Sequence, residues 1–133
     1  MARNTITIAS DIAVSSCSGS GPTYTVNYSS TVAAEQGETL PATPVQIGDW
    51  VTVNKREAGA GGSSSIDSVY TYKVTGITDK DTLTLTYISD TDSDGDDSPC
   101  DLPSGTGTSG SPNKAPHTFY RDLGPAFLIF LEA

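Results

Sequence analysis

The densest set of potential ligands in this 133-residue chain is acidic. Asp90, Asp92 and Asp94 take the first, third and fifth places of a D-x-D-x-D-G run that Gly95 completes. Asp96, Ser98 and Asp101 fall at the seventh, ninth and twelfth. This is the spacing with which an EF-hand loop wraps oxygen ligands around a hard cation, the glycine permitting the sharp bend. Asp90, Asp92, Asp94 and Asp101 are therefore candidate calcium ligands. The flanks are not those of an EF-hand. A strand-like Thr82–Ser89 segment precedes, Pro99 and Pro103 follow, and Asp at the twelfth place reaches less far than Glu. A solvated acidic loop competes with the calcium reading, and nothing in the sequence requires a cofactor.

Other chemistry has less to work with. His117 is the single histidine, so a base-assisted nucleophile would depend on it. It opens a strand-like segment and reads as a surface or edge residue. No serine sits in a G-x-S-x-G elbow, and the Gly-rich segments lack the Lys-Ser/Thr of a phosphate-binding loop. The expectation is a protein that is not an enzyme. Trp50 and the six tyrosines offer a sugar-stacking surface, although packing in the core or at its rim explains them more simply. Cys17 and Cys100 are the two cysteines. Their separation says nothing about proximity, so two free thiols are expected, with one disulfide the alternative for a protein that works outside a cell.

The net charge of −9 is concentrated. Six of the 16 acids lie between Asp90 and Asp101, leaving ten acids against seven bases elsewhere. With no basic cluster to set against that segment, direct nucleic-acid binding is not expected. No apolar signal-peptide core follows Arg3, and the longest apolar run, Ala126 to Leu131, is too short to span a bilayer. Synthesis in the cytosol without membrane insertion is the expectation.

The elements that must position these groups read as β-strands. Alternation marks Asn4 to Ala9, Thr23 to Tyr28, Trp50 to Asn54, Val69 to Gly76 and Thr82 to Ser89. The last two form an antiparallel hairpin around the Asp-rich turn Ile77 to Asp81. Two final strands follow, His117 to Arg121 and Ala126 to Glu132. Val51, Val53, Tyr72, Val74, Leu83, Leu85 and Tyr87 are the expected core. The fold class is all-β: one domain over residues 1–133, a small barrel or sandwich of about six to eight mostly antiparallel strands. Two long Gly/Ser/Asp-rich stretches, 55–67 and 90–116, read as flexible loops. Phe127 to Leu131 is apolar on both faces, which predicts a subunit contact.

The order Gly48-Asp49-Trp50-Val51-Thr52-Val53, then Tyr72-Lys73-Val74-Thr75-Gly76-Ile77, then Thr82-Leu83-Thr84-Leu85 resembles the small β-domains of tailed-bacteriophage structural proteins. Capsid decoration (cement) proteins are the nearest type, and neck proteins another. The resemblance covers about residues 48 to 89. It implies a virion location, the assembled major capsid protein as partner, and a homo-oligomer, commonly a trimer. A neck or tail component, or a calcium-assisted glycan-binding module, are the alternative readings.

Overall fold

The computed structural model describes residues 4–34, 43–58, 64–91, 98–100, 102–108 and 111–124. Every secondary-structure element among them is a strand: β1 (Thr5–Ile12), β2 (Val14–Ser18), β3 (Thr23–Tyr28), β4 (Trp50–Ala58), β5 (Ser64–Asp79), β6 (Thr82–Asp90), β7 (Pro103–Thr108), β8 (Ser111–Lys114) and β9 (His117–Asp122). Seven of them form one antiparallel sheet in the order β1-β9-β4-β5-β6-β3-β2, and the β7–β8 hairpin joins β4 through a parallel pairing of Arg56 with Ser104.

The all-β expectation is met, but the sheet is not a closed barrel. β1 and β2 stand at opposite ends of the hydrogen-bonded order, yet only Ala13 separates them in sequence. Consecutive Cα atoms lie about 3.8 Å apart, so the two ends of the sheet meet at this corner. The sheet therefore curls round its own core. Asp11 turns the chain there with φ 54°, a left-handed conformation that Asp tolerates better than most residues. The Ala13 carbonyl accepts the Ser29 amide at 2.9 Å, which fastens the corner to the end of β3. Register shifts in β1, β2, β4 and the β5–β6 pair supply curvature, since a bulge bends a strand and raises its twist.

Alternation explains which side chains fill the interior. Tyr24, Val26 and Tyr28 of β3, Val51 and Val53 of β4, Tyr70, Tyr72 and Val74 of β5, Leu83 and Leu85 of β6 and Phe119 of β9 are buried. Six of the seven expected core residues are among them. Tyr87 is half-buried against the core, paired with Tyr72, and beyond it Ile88 is an extra residue opposite the Thr71–Tyr72 step that ends the inward alternation of β6. Tyrosines supply much of this core, meeting edge-to-face as Tyr24–Tyr72 and Tyr72–Tyr87 at 6.4 and 5.9 Å between ring centres. Such pairs add about 0.5–1.5 kcal/mol to the area they bury.

Several stretches depart from the sequence reading. The hairpin turn is Lys80–Asp81 alone, with β5 running through to Asp79. The supposed loop 55–67 is largely ladder, because Glu57 pairs with Ser65 and Ala58 with Ser64. Much of 90–116 is the β7–β8 hairpin, and β2 occupies part of the Ser/Gly stretch after Ser15. In each case Gly and Ser have weak strand propensity, and pairing to a neighbour overrides it. The Ala126 to Glu132 strand, and with it the apolar run, lies outside the described residues.

Leu85 is fully buried at the centre of the sheet. Replacing it with alanine is expected to destabilise the domain by about 2–5 kcal/mol in urea unfolding. A change near zero would place β6 outside the core.

Candidate functional site

Three clusters of polar or aromatic side chains are arranged by this sheet. The first sits inside the corner. His117 of β9 is fully buried, against the expectation of a surface or edge position. It is cross-strand partner to Ile12 of β1 and Val53 of β4, so its side chain shares their inward face. Its Nε2 lies 3.1 Å from the Pro99 carbonyl and its Nδ1 2.7 Å from the Tyr28 hydroxyl. A carbonyl only accepts, so Nε2 carries the proton. Nδ1 is then an acceptor and the Tyr28 hydroxyl donates to it. Burial pushes the His117 pKa down to about 4, against a weaker upward pull from Pro99. Burial also pushes the Tyr28 phenol well up, so both groups are neutral near pH 7. The Tyr28 ring meets the edges of His117 and Phe119 at 5.3 and 5.4 Å.

Pro99 belongs to a short strap, residues 98–100, that reaches the corner through His117 and Cys17. Cys100 and Leu102 are buried, and the Leu102 carbonyl accepts the Ala115 amide at 2.8 Å. Cys100 is joined to Cys17 of β2 by a disulfide with Cα atoms 5.7 Å apart, correcting the expectation of two free thiols. The sequence could not reveal the pairing, because 83 residues separate the cysteines and only the curled sheet brings them together. Chain-entropy reasoning gives such a cross-link about 4–5 kcal/mol of stabilisation.

The second cluster is at the other end of β9. Asp49 is buried, and its carboxylate takes Arg121 Nε at 2.9 Å on one oxygen and Nη2 at 3.0 Å on the other. The Gln46 amide donates to the same carboxylate at 2.8 Å, and Arg121 Nη2 also donates to the Pro44 carbonyl at 3.0 Å. Donating to the Asp49 carboxylate raises the Arg121 pKa further. Residues 46–49 form a tight turn closed by the Asp49 amide on the Gln46 carbonyl, with Gly48 at φ 99° where a side chain would be strained. This pair holds the turn that opens β4.

The third cluster is on the outer face. Cross-strand register aligns Thr7, Tyr120, Trp50, Lys73, Thr86 and Thr23 in one transverse row across six strands. Trp50 and Tyr120 are half-buried neighbours, and the Lys73 ammonium lies 5.1 Å from the Trp50 ring centre. Threonine hydroxyls continue the row, Thr75 and Thr86 meeting at 2.9 Å and Thr23 and Thr86 at 3.4 Å. Trp50 thus lies on the outside of the sheet, its inward neighbours being Val51 and Val53.

Of the proposed calcium ligands, Asp90 ends β6 and accepts a hydrogen bond from the Tyr87 hydroxyl. Asp92, Asp94 and Asp101 lie outside the described residues. Among the described residues no group of three or more His, Cys, Asp or Glu side chains is placed to hold a metal ion. Also among them, no helix is long and apolar enough to cross a membrane. Neither His117 as a core residue nor the Asp49–Arg121 pair was read from the sequence. The burial-competent alternation His117, Phe119, Arg121 was the available signal for the first; nothing local marked the second. Comparisons with protein-family models, curated proteins and solved structures find no match.

Arg121→Ala would leave the Asp49 carboxylate buried with one remaining donor from the set above. Because Arg121 is partly exposed, the expected loss is about 2–3 kcal/mol, below that of a fully buried pair. Chemical denaturation of the single and double Asp49/Arg121 alanine variants checks this: the double variant should lose less than the sum of the singles.

Proposed function

We propose that this chain is a non-enzymatic structural protein of a virus particle, of the capsid cement (decoration) type, which binds the assembled major capsid protein as a homo-oligomer. The observation that carries the non-enzymatic part is His117. The one imidazole in the chain is sealed in the core with both nitrogens engaged by the fold. The virion part rests on the resemblance over residues 48 to 89, the stretch occupied by β4 and the β5–β6 hairpin. A sheet curled on itself and cross-linked by a disulfide suits a particle exposed to the extracellular environment. Oligomerisation, with a trimer as the specific proposal, rests on the apolar sequence Phe127 to Leu131.

The test is co-sedimentation with shells assembled from the major capsid protein encoded beside this chain in its genome. The expected result is saturable binding to shells and none to unassembled capsid subunits. Protein left wholly in the supernatant would refute the cement reading. In sedimentation velocity, Leu128→Asp or Phe130→Asp should reduce the oligomer to monomer, whereas a monomeric natural protein would remove the oligomer.

The transverse row through Tyr120, Trp50 and Lys73 favours a second reading, a glycan-binding module in which a sugar's apolar face lies on the aromatic pair. Binding on a glycan array that Trp50→Ala abolishes, with no retention on capsid shells, would select this reading over the first.

A further inference from the structure

We propose that the corner where the sheet closes is an acid-operated latch, in which protonation of His117 uncouples β3 from β9 while the Cys17–Cys100 disulfide keeps the strap attached. The argument starts from donors and acceptors. Nε2–H is committed to the Pro99 carbonyl, and Nδ1 receives the Tyr28 hydroxyl proton. A second proton on the ring can go only to Nδ1, and it would then confront the Tyr28 O–H as donor against donor. The hydroxyl can turn its lone pair to the ring only by directing its own hydrogen into the buried space beside Phe119. Either outcome breaks the bond as it stands and leaves a charge in the core, where an unpaired charge is expensive.

This contact, together with the packing of the Tyr28 ring against Phe119, joins elements that share no ladder. β9 and β3 are separated in the sheet by β4, β5 and β6. Besides Tyr28–His117, they are linked at the corner by the β1–Ala13–β2 chain and by the strap. Among the described residues, the groups that face His117 are few. Tyr28 comes from β3, Ile12 from β1, Val53 from β4, and Pro99 with Cys100 from the strap. Of these only Tyr28 titrates, because Cys17 and Cys100 are bonded to each other. Lys55, half-buried, is the next inward position along β4, and Asp101 lies outside the described residues. None of the facing groups named here is an acid that would favour a buried imidazolium.

The direction of the pH effect follows. In the open form the ring regains an ordinary pKa near 6.5, whereas in the closed form it is held at about 4. The open form binds the proton more tightly, so closure is fully favoured above pH 6.5 and is lost progressively as pH falls to 4. The open-to-closed ratio should rise by up to about 300-fold across that window. With the disulfide intact, the strap and β2 stay tethered, so the change is local and reverses on neutralisation.

The experiment uses the full, disulfide-bonded chain. The single imidazole is followed by NMR from pH 8 to pH 3.5, and amide hydrogen exchange is measured over the same range after correction for intrinsic rates. The expected result is a His117 midpoint well below 6.5 with an exchange increase of at least tenfold at Ser29 and in β1. Val53, Tyr72 and Leu83 should stay protected. His117→Gln, which keeps a donor for Pro99, should flatten this pH dependence. Three outcomes would overturn the latch: an imidazole that titrates near 6.5 with the corner unchanged; protection lost alike at the corner and the centre; or a His117→Gln protein with the natural pH profile. The imidazole titration and the exchange map of the natural protein decide the matter even if the variant does not fold.

Discussion

The bond from the Tyr28 hydroxyl to His117 Nδ1 is the constraint on which the architecture turns. A seven-strand antiparallel sheet has two edges, and a flat one would expose both its apolar face and those edges. Here the chain passes from one edge to the other through Ala13, which forces the sheet to curl. Curling brings two polar side chains, Tyr28 and His117, together inside an apolar interior. They are tolerated because they satisfy each other, with the Pro99 carbonyl taking the remaining donor. Replacing either one alone would leave a buried polar atom without its partner.

β9 is held at both ends by polar groups of different kinds. At His117 the tie is neutral and enclosed; at Arg121 it is charged and partly open to water. Between them Phe119 packs into the core, and Thr118 and Tyr120 face outward. The first tie fixes the closing corner and the strap leading from the acidic segment. The second fixes the turn before β4. The outer face carries threonine hydroxyls and one transverse row in which Lys73 lies over Trp50, unlike the strongly acidic stretch from Asp90 to Asp101.

Local patterning made the ladders legible. Tyr70, Tyr72 and Val74 against Leu83 and Leu85 announce a two-sided hairpin, and the period of two marks which side is buried. Residues 55–58 and 64–67 did not announce themselves, because 55–58 are charged or small, the Gly and Ser between and after them read as loop, and their strand state comes from the partner. The closing corner was also invisible. Nothing around Cys17, Tyr28, Pro99 or His117 encodes their meeting, since it depends on where the ends of a sheet fall after it curls. A lone histidine flanked by Pro116 and Thr118 looks like surface; only the inward parity it shares with Phe119 hints otherwise. For the candidate site, the sequence marked Asp90 and Trp50 by residue type, but not the transverse alignment of Trp50 with Tyr120 and Lys73, which is a matter of register.

The placement of β1 and β9 as neighbours carries a consequence for biosynthesis. β1 pairs with β9, more than 100 residues further along the chain, and the Leu123 amide donates to the Asn4 carbonyl at 2.7 Å. The β5–β6 hairpin can zip as soon as its two-residue turn is made, on the microsecond scale of isolated hairpins. β1 must wait for almost the whole described chain, with its Thr/Ile backbone edge unpaired by β9 throughout. At the usual pace of elongation that interval lasts several seconds or more. During vectorial synthesis the nascent chain is thus a half-sheet with one waiting strand, and the β1–β9 pairing is a late event that joins strands made far apart in time.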